Sequence, residues 1–113
     1  MHYNIKNFIQ LVEQYNFVEA HEALEEDWNN LKKIGDKKTA KFLQALINGA
    51  TSLALHIKGR PDACKKVWGA LQRNKHLIHE VKLFNKQEYK YTIDLLENLY
   101  NNKHKLLLKY QQA

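Results

Sequence analysis

Proline occurs once and glycine four times in the 113 residues. Both residue types break helices and build tight turns, so their scarcity argues against a turn-rich sandwich or barrel. It favours long helices with few interruptions. Cysteine occurs once, as Cys64. A lone thiol cannot form an internal disulfide, and it fits a reducing cytoplasm. Cys64 stands in a Lys/Arg-flanked stretch with no histidine near it in sequence, so a small, partly buried side chain is expected rather than a nucleophile. There is no long apolar run either. The richest stretch, Phe42 to Ile57, contains Gln44, Asn48 and His56, and it is shorter than the roughly 20 residues a membrane span needs. Met1 to Gln10 lacks the apolar core and cleavage site of a signal peptide. A cytoplasmic protein without a membrane span is therefore expected.

What is present fits one small domain spanning residues 1–113. Hydrophobic residues make up 44% and charged residues 27%, which suits a chain with one core and disfavours disorder. The charge is unevenly placed. Met1 to Leu31 carries six acids against Lys6, a net −5, and Lys32 to Ala113 carries 17 basic and six acidic residues, a net +11. Of the 18 basic residues, 16 are lysine. No aromatic-basic nucleic-acid signature accompanies them, so nucleic-acid binding is not expected despite the net charge of +6.

The apolar spacing predicts an all-α bundle of about five helices. The first covers Asn4 to Tyr15, with Ile5, Phe8, Ile9, Leu11 and Val12 on one side. The second, Phe17 to Lys33, aligns Phe17, Ala20, Leu24, Trp28 and Leu31, and Ile34-Gly35-Asp36 ends it. The third, Lys38 to Lys58, has a wide apolar face. Beside that face runs a row of small residues, Ala45, Gly49 and Ser52, ending at His56. Small residues let another helix come close. Pro61 opens the fourth, which runs to about Val81. The fifth, Lys86 to Gln111, is long and rich in tyrosine and leucine.

The chemistry gathers on the second helix. At about 100° per residue, His21 falls about 40° from Phe17, inside the apolar stripe, and Glu25 about 80° away, at its margin. The two are one turn apart and can touch. Three arrangements suit this pair. One is a polar lock to the third helix, with Gln44 or Asn48 completing the hydrogen bonds. Another is a small-molecule or catalytic pocket. The third is a divalent-metal site of His21, Glu25 and His56, a donor set that suits zinc or ferrous iron. No cofactor is otherwise predicted. Trp28 is expected in the core, Trp68 in the core or an interface, and His76, His79 and Glu80 on a solvated face.

The run Phe17-Val18-Glu19-Ala20-His21-Glu22-Ala23-Leu24-Glu25-Glu26-Asp27-Trp28 resembles the (Y/F)-x-E-A-H-E-x-L-E-x-x-W signature of the domain-of-unknown-function family 309. Phe42 to Asn48, continuing to His56, is similar to that family's F-L-Q-G-L-I-Q…H helix, and Gly59 to Ala63 to its G-N-x-x-G-A turn. The resemblance covers Tyr15 to about Leu71. It implies a compact helical bundle of bacterial or archaeal type, with Glu19, His21, Glu22, Glu25, Trp28, Gln44 and His56 at characteristic positions. Ala45 departs from glycine, Asn48 from glutamine, Arg60 from asparagine and Asp62 from glycine. No mechanism comes with the resemblance.

The leading expectation is thus a helical binding or structural domain with one site between helices, formed by these residues and Asn48. The alternatives are a metal-assisted hydrolase using His21, Glu25 and His56, and a scaffold that self-associates through its C-terminal helix.

Overall fold

A computed structural model describes residues 4–112, with side chains through residue 107. The tyrosine-rich fifth segment runs past the described side chains, and Tyr110 lies outside them. Six α-helices follow one another: α1 (Ile5–Glu13), α2 (Phe17–Lys33), α3 (Lys37–Ile57), α4 (Pro61–Asn74), α5 (Lys86–Asn101) and α6 (Lys103–Gln112). A 3-10 turn, Lys75–His79, follows α4 directly. Among the described residues there is no strand, so the architecture is all-α, as the apolar spacing predicts. None of these helices is long and apolar enough to cross a membrane.

The breaks differ from expectation at two places, and both share a cause. The fourth segment leaves the α-helix at Asn74, and the fifth is divided at Asn102. Asn74 Nδ2 donates to the carbonyl of Ala70 at 3.2 Å, and Asn102 Nδ2 to that of Asn98 at 2.9 Å. Each asparagine thus offers its own side chain to the carbonyl one turn back, in competition with the helix's backbone donors. Neither break involves glycine or proline, the residues that usually announce one.

The central element is α3, buried on two sides at once. Phe42, Leu43, Leu46, Ala50 and Leu53 are all fully buried. One side receives α2, whose Phe17, Ala20, Leu24 and Leu31 turn inward. The other side carries the row of small residues. A Cβ placed on Gly49 would lie 2.9 Å from Leu96 Cδ1 of α5 and 3.1 Å from Leu71 Cδ2 of α4. Ser52 Oγ donates to the Cys64 carbonyl of α4 at 2.8 Å. The small row is therefore where α4 and α5 close onto α3. Cys64 is buried there as a small side chain. Trp68 is buried too, and its ring stacks on Tyr100 at 4.0 Å.

The turns that reverse the chain are built alike. After α2 and α3, Gly35 and Gly59 take left-handed backbone angles, φ +82 and +76. Asp36 N–H reaches back to the Leu31 carbonyl, and Arg60 N–H to that of Leu55. This is the six-to-one closure of a Schellman turn. The α1–α2 turn has the same closure, from Asn16 N–H to the Leu11 carbonyl. Its left-handed residue is Tyr15, φ +62.

Candidate functional site

The short turn Ile34-Gly35-Asp36 makes α2 and α3 antiparallel neighbours. Their outer margins therefore run side by side. On α2 that margin carries His21, Glu25 and Trp28, each half-buried. On α3 it carries Leu55, Thr51 and Asn48, also half-buried. At about 100° per residue, each set falls within roughly 60° on its own helix. His21 lies beside Thr51, Ala54 and Leu55 of α3, in the seam between the two helices, and Glu25 is half-buried one turn further along α2.

Near the start of α2 the seam opens into a groove of about 190 Å³, lined by Phe17, Val18, His21, Thr51, Ala54, Leu55 and Lys58. Beside it a second hollow, about 430 Å³, is lined by Tyr15, Asn16, Glu19 and Ile57 and shares Phe17, Val18, Ala54 and Lys58. The lining of the first is mostly apolar, with His21, Thr51 and Lys58 as its polar side chains. The Thr51 hydroxyl donates to the Ile47 carbonyl at 3.0 Å. The imidazole of His21 has no hydrogen-bond partner among the described residues. At the mouth, α2 begins at Asn16, whose side chain makes no capping bond. The first-turn N–H groups of α2 consequently point outward without a side-chain acceptor from the cap, at the positive end of the helix dipole.

His56 does not join this seam. It closes the small-residue row, and on α3 it lies about 160° around the helix from Ala54 and Lys58. Its Nε2 stands 3.1 Å from the Lys103 carbonyl at the start of α6. The expected trio of His21, Glu25 and His56 is therefore not assembled. The row that lets α4 and α5 approach also carries His56 to their side of α3. Among the described residues no three His, Cys, Asp or Glu side chains gather to hold a metal ion.

The other sequence candidates spread out. Glu19 and Glu22 are exposed, and Glu19 sits in the first turn of α2, where a negative charge suits the helix dipole. Gln44 is exposed, so it does not complete a buried lock with His21. Trp28 is half-buried against the core rather than within it, and the Lys32 ammonium sits 3.5 Å from its ring centre. His76, His79 and Glu80 are exposed, as expected, and Glu80 pairs with Lys38 at 3.1 Å. On α5, Tyr89 and Leu96 are buried, Leu95, Leu99 and Tyr100 pack against the core, and Tyr91 is the exposed large apolar residue.

Asp27 is a further residue of note on α2. It is buried, with 4% of its surface exposed. Its carboxylate accepts the backbone N–H of Asn4 at 2.6 Å and the Asn4 side-chain amide at 3.4 Å. Burial pushes its pKa above the ordinary 3.8; the Asn4 N–H opposes the shift and Glu26 adds to it. The signal was available: Asp27 falls about 80° from Phe17, on the side occupied by Ala20 and Leu31.

The family described as Domain of unknown function (DUF309) matches residues 5–67. The chain belongs to this family. The DUF309 match takes in α1, α2, α3 and the first half of α4, and so the whole seam. It begins earlier than the motif resemblance, because α1 is part of the matched unit. The chain's α5 and α6 lie beyond it. No curated protein and no solved structure matches the chain.

Proposed function

We propose that this DUF309 chain is a non-catalytic binding domain for a small amphipathic carboxylate, held in the groove between the start of α2 and the end of α3. The groove beside His21 carries the reading: apolar walls of Phe17, Ala54 and Leu55 with an unpaired imidazole beside them. Such a mixture of apolar lining and few polar groups is the usual make-up of a small-ligand site. The apolar body lies against those walls. The carboxylate lies at the mouth, near Lys58 and the uncapped N-terminus of α2, where anions are favoured. The single free thiol fits a cytoplasmic setting.

Octanoate is a suitable probe, because its chain matches the groove in bulk. Calorimetric titration is expected to show one octanoate per chain, with octanol binding at least fivefold more weakly. Ala54→Trp fills the groove and is expected to abolish the heat while the chain still melts cooperatively. Undiminished octanoate binding by Ala54→Trp, or none by the wild type, rejects this reading.

A further inference from the structure

The opposite end of the bundle carries a different surface. Lys38, in the first turn of α3, pairs with Glu80 just after the 3-10 turn. This bridge brings the α2–α3 turn and the loop before α5 to the same end. Each offers one large apolar side chain to solvent. Ile34 is 64% exposed, and Phe84 is fully exposed. The loop anchors itself through Val81 and Leu83, both buried in the core, and thereby displays Lys82 and Phe84 outward.

Charge at this end is one-sided. Lys33, Lys37, Lys82 and Lys86 make no ion pair among the described residues. The acids nearby are engaged: Glu80 by Lys38, Asp36 by the Thr39 N–H it caps, and Glu88 by Lys6 and Asn85. A single exposed apolar side chain is ordinary. Two at loop tips among four unpaired lysines make a surface of two parts, one apolar and one cationic.

We infer that this tip docks on an anionic lipid surface, with Phe84 and Ile34 entering the headgroup boundary and the lysines facing lipid phosphates. Peripheral membrane attachment needs both parts: buried apolar area and attraction to anionic headgroups. Single-stranded nucleic acid fits less well. It stacks bases on aromatic rings that lie flat as platforms, whereas Phe84 stands clear of its neighbours and Ile34 has no π-face.

The test is co-sedimentation of the whole chain with vesicles of phosphatidylcholine alone and with 30% phosphatidylglycerol. The mixed vesicles are expected to bind at least tenfold more strongly, with binding lost in 0.5 M salt. Phe84→Ser combined with Ile34→Ser is expected to weaken binding at least fivefold, and Lys82→Glu with Lys86→Glu to abolish it. Ile34, Lys82 and Phe84 are exposed and Lys86 is half-buried, and far-UV dichroism checks that each variant keeps its helices. The inference is overturned if the mixed vesicles do not carry the chain down. It is also overturned if the serine variant binds as well as the wild type, or if these residues hold an oligo-dT strand and no vesicle. Octanoate binding in the distant groove is independent of either result.

Discussion

The backbone N–H of Asn4 donates to the carboxylate of Asp27 at 2.6 Å, so the first helix begins on a side chain of the second. The Asn4 side chain makes no capping bond of its own to α1. Asp27→Ala removes the acceptor of this part-buried hydrogen bond and is expected to cost about 1–2 kcal/mol in urea unfolding. Asp27→Asn keeps an acceptor oxygen and is expected to cost less.

The same contact sets a pH dependence. Burial raises the Asp27 pKa in the folded chain above the ordinary 3.8. The folded state then holds the proton more tightly than the unfolded one. Its contribution is complete below pH 3.8 and is lost as pH rises through the folded value. Glu97 acts in the opposite sense. Burial alone would raise its pKa, but hydrogen bonds from Lys75 and Gln72 and the Lys75 charge bring it below 4.5, so its stabilisation is lost on acidification. Subtracting the Asp27→Asn stability curve from the wild-type curve isolates the first effect. The difference is expected to turn against the wild type as pH rises from 3.8, and a flat difference would refute it.

Two glycines in helices should respond differently to alanine. At Gly69 a Cβ meets only the end of the flexible Arg73 side chain, so Gly69→Ala is expected to gain about 0.5–1 kcal/mol from helix propensity. At Gly49 the Cβ meets Leu96 and Leu71, both fully buried. Crowding there offsets the propensity gain. Gly49→Ala is expected to change stability by less than about 1 kcal/mol, and Gly49→Val to lose about 2–3 kcal/mol. Thermal melts of the three variants check the ranking.

Tyr15 occupies the left-handed position that glycine holds in the other two Schellman turns. A non-glycine residue there costs about 1–2 kcal/mol. Its ring contacts Phe17 at 6.1 Å between centres. Tyr15→Gly loses the ring but relieves the backbone, whereas Tyr15→Ala only loses the ring. The glycine variant is expected to be the more stable of the two by about 1 kcal/mol. Equal stabilities would show that the backbone there carries no strain.

The helices were legible because Phe17, Ala20, Leu24 and Leu31 repeat at the helical period, and because Gly35, Gly59 and Pro61 mark ends. The breaks at Asn74 and Asn102 were not, since asparagine is equally at home on an exposed helix face. The place of His21 was half-legible. Its angle on α2 put it inside the apolar stripe, whereas it lies half-buried at the core's margin. The partner assigned to it was not legible, because period alone does not say which neighbour a face of α3 meets. Gly49 and Ser52 marked a close approach correctly, but the helices approaching there are α4 and α5, and His56 goes with them. Asp27 was hidden by its company, among Glu25, Glu26 and Trp28.

With His56 on that far side, no third His, Cys, Asp or Glu gathers with His21 and Glu25 among the described residues. Added zinc is expected to leave the melting temperature unchanged. A saturable rise of several degrees that Glu25→Gln removes would contradict this. His56→Ala is expected to cost about 1 kcal/mol, as one lost hydrogen bond to Lys103.

The most direct measurement follows the imidazole resonances by NMR as octanoate is added. The His21 ring is expected to shift along a saturating curve, while those of His56 and His76 stay fixed. A chain in which His56 moves together with His21, or in which His21 does not move while octanoate binds, would contradict a ligand groove between α2 and α3.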